Sequence, residues 1–329
     1  MKKILILTMS STNQFFVNQI DTIKKTWAKD LPENIDWLYY DGNDKKEATS
    51  LNDNHLSICC EDNLENTFKK TFLALLYINN NFKDKYDYIV RTNTSTYINV
   101  DFLNYFLNNI NDNNDVTYCS DLYSLTEGYA PNPLDIYPRG NCFILPRKHV
   151  AIILSFGFSY MYLEHVDDMM IGNIINSYYI RSEGEYLSHI KGIPHGWYKS
   201  VPNVFNNGHK LCEYGHKDGG FNFYKQFISI QIKRYREREV ENDNYIELDN
   251  LFKSNKDKNL KETFNKAIEY MKDPSIFIGS ILGYMNYSEW KRMNKNELFW
   301  LEFSHKASDD AERKKYEEYI NNHHKINQK

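Results

Sequence analysis

Two clusters of side chains in this chain have types and spacings that could carry chemistry. Asp167 and Asp168 stand side by side at the head of a helix-patterned run that reaches Ser177. A carboxylate at a helix start is drawn toward ionisation by the helix dipole and pushed toward protonation by a neighbouring like charge. Such a pair can be tuned for proton transfer, and it also reads as simple N-capping. The second cluster is Arg91-Thr92-Asn93-Thr94-Ser95-Thr96, which follows a buried strand at Tyr88 to Val90 and contains no carboxylate. Strand ends in α/β proteins are where ligands bind, and this one offers a guanidinium, hydroxyls and an amide. Arg91 has two readings, an anion contact or a structural ion pair. Further along, the loop from Asn207 to Gly220 repeats Gly-His-Lys, which makes His209, Lys210, His216 and Lys217 candidate partners for an anion or ordinary solvated loop residues.

These clusters need a scaffold, and the hydropathy pattern supplies one. Ile4 to Met9 is a continuous apolar strand, Phe15 to Trp27 has helical spacing, and Trp37 to Tyr40 is a second strand ending at Asp41-Gly42. Glu61 to Ile78 reads as a helix with Leu64, Phe68, Phe72, Leu75 and Leu76 along one face, delivering the chain to the strand at Tyr88. The alternation argues for a parallel α/β sheet. A helix from about Val100 to Ile110, a strand near Val116 to Cys119, a strand-like Asn141 to Leu145 and a helix from Arg147 to Leu154 follow. Residues 192–220 are rich in Gly, Pro and Asn and read as loop, and Phe227 to Ile232 is a late strand. After about Ser254 the character changes to helical patterns at Leu260 to Met271 and Ser288 to Phe303.

The chain of 329 residues is 41% hydrophobic and 15% aromatic, enough apolar surface for a sizeable core. With 40 Lys and Arg against 44 Asp and Glu, nothing favours nucleic acid in general, so any anion site is local. Five cysteines lack disulfide-framework or zinc spacing and read as buried thiols. No apolar stretch approaches the ~20 residues of a membrane span, and the apolar run after Lys2 and Lys3 is too short for a signal segment. The expectation is a soluble, cytoplasmic protein.

Several fragments fall in the order of a known family. Ile23-Lys24-Lys25-Thr26-Trp27 resembles the basic-x-Thr-Trp element of β-1,3-galactosyltransferase and Fringe-type glycosyltransferases, and Asn66-Thr67-Phe68-Lys69-Lys70-Thr71 resembles their Asn-Leu-Thr-x-Lys-Thr helix. Tyr137-Pro138-Arg139-Gly140 is similar to their acceptor-side turn, and Asp167-Asp168-Met169-Met170-Ile171-Gly172 to their Glu-Asp-Val-x-x-Gly segment. The shared order covers roughly residues 1–235. The resemblance implies an α/β fold of the GT-A type, a Rossmann-like central mixed sheet flanked by helices. That domain would occupy residues 1–253, with a helical C-terminal extension over 254–329. The extension has three open roles: packing on the first domain, contributing to an acceptor site, or mediating homo-oligomer formation.

Where that family carries Lys-Thr-Asp-Asp-Asp, this chain has Arg91-Thr92-Asn93-Thr94-Ser95 in register. The family's acids hold a divalent metal on the nucleotide-sugar diphosphate. An amide and two hydroxyls are poor ligands for Mn²⁺ or Mg²⁺, so the resemblance leaves either a metal-independent enzyme or a protein that binds without catalysis. The implied activity is transfer of a sugar, from a nucleotide donor such as a UDP-sugar, to a hydroxyl of a glycan or other acceptor, with inversion. Asp168 takes the place of the general base. Ser10, Ser11, Asp41, Lys70, Arg91, Asn93, Thr94, Ser95, His209, Lys210, His216 and Lys217 take the donor side. Asp167, Arg139, Gly140 and Trp197 take the acceptor side, the last as a face for a sugar ring.

Overall fold

The computed structural model describes residues 1–111, 115–120, 122–124, 136–138, 140–162, 166–183, 189–193, 195–198, 227–232, 239–256 and 258–272. Its centre is an eight-stranded mixed sheet flanked by helices. The strands are β1 (Ile4–Met9), β2 (Ile35–Gly42), β3 (Ser50–Asn52), β4 (His55–Ile58), β5 (Tyr88–Asn93), β7 (Thr117–Cys119), β10 (Cys142–Pro146) and β11 (Ile190–Gly192), in the order β11-β7-β10-β5-β1-β2-β4-β3. The inner strands β5, β1, β2 and β4 run parallel, β10 is antiparallel to β5 and β7, and β11 is parallel to β7.

Ile4, Leu5, Ile6 and Leu7 are all fully buried, which is what a continuous apolar run means in a strand covered on both faces. Because side chains alternate across a strand, Ile4 and Ile6 enter one core and Leu5 and Leu7 the other. The first core lies under α1 (Gln14–Lys25), α3 (Val100–Asn109), α6 (Glu239–Ser254) and α7 (Leu260–Lys272). The second lies under α2 (Thr67–Asn81), α4 (Arg147–Phe156) and α5 (Asp167–Glu183). A small sheet, in the order β12-β13-β6, joins β6 (Thr96–Ile98) to β13 (Ser229–Ile232) and β12 (His195–Tyr198). It continues directly from the end of β5. The hairpin strands β8 (Leu122–Ser124) and β9 (Ile136–Pro138) pair with each other.

The strand before Arg91 and helices α1 to α5 match the sequence expectation in order, while the sheet is mixed, as the resemblance implied, rather than parallel, since β10 runs antiparallel to both its neighbours. Strand β6, the β8 and β9 hairpin and helix α6 were not expected, and further local features differ. Helix α2 begins at Thr67 rather than Glu61, and Leu64 is 69% exposed rather than part of the apolar face. Asn63 explains this, since its side-chain oxygen takes the backbone N–H of Asn66 and closes a local turn that competes with helix. The pair β3 and β4 was not legible, and within the expected loop His195–Tyr198 is a strand. Beyond residue 253, α7 packs on α3, with Phe264 against Tyr105 and Phe106, and Ala267 is fully buried in the first core. Residues 273–329, including the expected helix at Ser288, lie outside the described set. Among the described residues no helix is long and apolar enough to cross a membrane.

Candidate functional site

Helix α5 brings its first two residues to the carboxyl end of β5, where Gly140 also arrives on the way into β10. The bond that fixes this is Gly140 N–H to Asp168 Oδ2, 2.8 Å, with Met169 N–H donating to Asp168 Oδ1 at 2.7 Å. Glycine leaves Asp168 undisturbed: a Cβ at residue 140 would lie 3.1 Å from Asp168 Oδ2, which would have to give by tenths of an ångström, and 3.5 Å from an Arg91 nitrogen, an ordinary contact. Burial and the negative charge of Asp167 push the Asp168 carboxyl up to about 6, against the pull of Arg91 and the two backbone N–H groups. Asp168 keeps an edge toward solvent. A group half-ionised at about pH 6 and reachable from outside is able to accept a proton from a weak acid and release it again.

Asp167 does something different. It is 3% exposed, and its Oδ2 lies 2.8 Å from Arg91 Nη2 and accepts from the Thr71 hydroxyl at 2.9 Å. The Thr71 hydroxyl in turn bonds Tyr40 Oη at 2.7 Å. Arg91, 1% exposed, also donates to Asn93 Oδ1 at 2.8 Å and to the Gly140 carbonyl, and lies 5.3 Å over the Phe143 ring. Burial opposes its charge, yet Asp167 holds it above the ordinary arginine value. The ion-pair reading of Arg91 is therefore the one seen: its guanidinium is surrounded by protein, and Asp167 serves it rather than facing an acceptor. The N-capping reading fits neither acid fully, since Asp168 bonds the next residue's N–H and Asp167 faces the core.

The segment Asn93, Thr94 and Ser95 stands where the resembling family holds its metal, and the expectation is that these residues do not hold one. Asn93 Oδ1 already accepts from a guanidinium. The Thr94 hydroxyl donates to Gln19 Oε1 at 2.5 Å, and the Ser95 hydroxyl accepts from Gln231 Nε2 at 2.8 Å. Both hydroxyl residues are 1% exposed. Neutral oxygens engaged by protein partners and placed beside Arg91 do not fit a hard divalent cation, which takes charged, converging oxygens. Among the described residues no group of three His, Cys, Asp or Glu is arranged to hold a metal.

On the donor side, Ser10 follows the last residue of β1 and Asp41 is the last but one of β2, at the same end of the adjacent strands, with Ser10 N–H on the Tyr40 carbonyl at 2.7 Å. Asp41 is 6% exposed; its Oδ2 lies 2.9 Å from His55 Nε2, and Oδ1 has no hydrogen-bond partner among the described residues. His55 stacks on Tyr39 at 4.6 Å. Lys70 is 3% exposed and its ammonium is 2.5 Å from Asp62 Oδ1. Asp62 Oδ2 also accepts from Thr12 N–H at 2.7 Å and from the Thr12 hydroxyl at 3.2 Å, while Gly42 N–H reaches Oδ1 at 3.3 Å. Burial pushes the Asp62 carboxyl up, and the bonds from Lys70, Thr12 and Ser11 outweigh it and hold it below the usual carboxylate range. Gly42 is required here, since a Cβ would meet Asp62 Cα and the Cys60 carbonyl oxygen at 2.8 Å each.

Thus Asp168, Asp167, Gly140, Arg91 and Asn93 form one contiguous group, and Ser10, Ser11, Asp41 and Lys70 line the neighbouring strand ends. Arg139, His209, Lys210, His216 and Lys217 lie outside the described residues, and of Trp197 the backbone position is described, opposite Gln231 in β12. Sequence reasoning missed Asp62, Gln19, Gln231, Tyr245 and Thr71. Gln231 alone carries a sequence-level signal, a polar residue between Ile230 and Ile232 in an apolar strand, and the other four stand beside at least one polar neighbour. No known family description matches the chain, and no curated protein matches it in sequence. Among solved structures it is similar to a glycosyltransferase involved in glycosylation of the major capsid of PBCV-1, at 7% identity over 74% of this chain and 99% of that one, TM-score 0.39. It is similar to an active-site mutant of LgtC, at 10% identity over 74% of this chain and 94% of that one, TM-score 0.40. The glycosyltransferase GlyE of Streptococcus pneumoniae TIGR4 shares 10% identity over 84% of this chain and 64% of that one, TM-score 0.35. Likenesses this distant carry no argument about activity.

Proposed function

We propose that this chain is a GT-A-like, inverting glycosyltransferase that transfers a sugar from a nucleotide donor, a UDP-sugar, to an acceptor hydroxyl without a metal ion, in a cytoplasm. The observation that carries this reading is Asp168: a half-desolvated carboxylate, pushed up to about 6, at the carboxyl end of the parallel strands. In the step proposed, Asp168 takes the acceptor's O–H proton as the acceptor oxygen bonds to the anomeric carbon. The bond from that carbon to the phosphate oxygen breaks, and the nucleoside diphosphate leaves with the electron pair. Protonated Asp168 then returns its proton to water. A single carboxylate base at the strand end, acting on the acceptor hydroxyl, fits a single displacement with inversion. The leaving diphosphate needs cations in a water-poor site. Arg91 is committed to Asp167, so Lys210, Lys217, His209 and His216 are assigned that role, while Asp41 and Ser10 take the nucleoside.

Loss of transfer in Asp168→Asn, with fold retained, is the expected result; full activity in that variant overturns the base assignment. Activity abolished by EDTA and restored by Mn²⁺ overturns metal independence. A second reading, a scaffold that binds a sugar nucleotide without catalysis, draws on the fact that the Asn93, Thr94 and Ser95 side chains are all bonded to protein. UDP binding by calorimetry with no turnover across a panel of nucleotide sugars would select it.

A further inference from the structure

The strand-end loop after β5 is gripped from three separate elements. Gln19 of α1 accepts from the Thr94 hydroxyl at 2.5 Å, Gln231 of β13 donates to the Ser95 hydroxyl at 2.8 Å, and Tyr245 of α6 donates its hydroxyl to the Thr94 carbonyl at 2.6 Å. The Ile232 N–H closes the grip on the Ser95 carbonyl at 2.9 Å. Gln19, Thr94, Ser95, Gln231 and Tyr245 are all between 0 and 3% exposed, so each bond is sheltered from competing water. A buried carbonyl or hydroxyl of this kind has one favourable arrangement, because leaving it unbonded costs the full desolvation penalty.

From this grip we infer that Gln19, Gln231 and Tyr245 are positioning residues for the Asn93–Ser95 loop, holding by protein hydrogen bonds a segment that offers no ligands for a metal to organise. Tyr245 is the most telling member, since it reaches the loop from a helix 151 residues away in sequence and touches a backbone atom, whatever side chain stands at residue 94. Through Asn93, whose side chain meets Arg91, the grip extends to the Arg91 and Asp167 pair and so to the start of α5. The catalytic consequence rests on the glycosyltransferase reading; the mechanical one does not.

The test compares Tyr245→Phe with Tyr97→Phe. Both delete one buried hydroxyl from the same aromatic cluster, where the two rings lie 6.3 Å apart, but Tyr97 bonds Asp249 at 3.2 Å rather than the loop. Hydrogen exchange of the amides of residues 93–96 is expected to speed up by about tenfold in Tyr245→Phe and to stay at the wild-type rate in Tyr97→Phe. Transfer from a UDP-sugar is expected to lose about tenfold in kcat/KM in the first variant only, at a similar loss of Tm in both. Equal exchange in the two variants overturns the grip. Faster exchange with equal kcat/KM overturns the positioning role. Faster exchange in a protein whose wild type turns over no nucleotide sugar supports the grip and overturns the glycosyltransferase reading.

Discussion

Replacing Asp167 by Asn removes one charge and almost no volume, which makes it the sharpest probe of the site. Arg91 would keep its neutral partners, Asn93 and the Gly140 carbonyl, and lose the carboxylate 2.8 Å away that balances it in a fully buried position. Removing one member of a buried ion pair strands the other, at about 3–5 kcal/mol. In a chain of this size that lowers Tm by about 6–20 °C, at roughly 2–4 °C per kcal/mol. A second signature follows from electrostatics. Burial and Asp167 are the two influences raising Asp168, and without Asp167 only burial opposes the Arg91 charge and the two backbone N–H groups. The acid limb of the pH and activity profile should therefore move from about 6 toward the ordinary carboxylate value near ~4. Urea titration and a pH series of transfer rates measure the two effects. The double variant Arg91→Met with Asp167→Leu, which replaces the pair by apolar groups of similar size, should be more stable than Asp167→Asn alone. A cost below about 1 kcal/mol with an unmoved acid limb would refute the account of a balanced buried pair.

Asp168→Asn should lose activity and gain stability above pH 6, by about 1–3 kcal/mol in urea unfolding. A carboxyl raised in the fold favours the folded state below its ordinary value, and that benefit is lost as pH rises through about 6. His149 has the opposite sense. Fully buried between the Thr117 and Tyr179 hydroxyls, its ring is driven down to about 3 by burial and the neighbouring His189, so it stays neutral in the fold. Its stabilisation is complete above the ordinary histidine value and is lost as pH falls toward 3, costing about 2 kcal/mol by pH 5; His149→Gln should flatten that slope. Gly140→Ala should lower the transfer rate several-fold with little change in Tm, since its Cβ would press on Asp168 Oδ2 at 3.1 Å and displace the carboxylate by tenths of an ångström.

Long-range order was legible wherever one physical pattern dominated. The apolar run Ile4 to Leu7 and the helix from Arg147 are cases in which periodicity and burial agree. Helix α2 was placed but started six residues early, because periodicity cannot see that Asn63 closes its own turn and that Asp62 is drawn away to Thr12 and Lys70. Of the candidate residues, Asp168 and Gly140 were named for separate roles and stand 28 residues apart, and the structure joins them by a hydrogen bond. Lys70 was named without its partner Asp62, and Asp167 was given an acceptor when its nearest charge is Arg91.

What the sequence by itself determined is the inventory: an alternating α/β chain, a strand end without acids at Asn93 to Ser95, and two adjacent aspartates opening a helix. Those are properties of local pattern and residue type, which act over a few turns or strands. What only the tertiary structure decided is how each charge is used. Arg91 could have met a ligand or a carboxylate, and the two aspartates could have shared one role. Packing α5 across the end of β5 put Asp167 against the guanidinium and left Asp168 at the edge with its pKa raised. The reason is that desolvation and pair energies depend on distances of a few ångströms between segments remote in sequence, and no spacing along the chain encodes those distances.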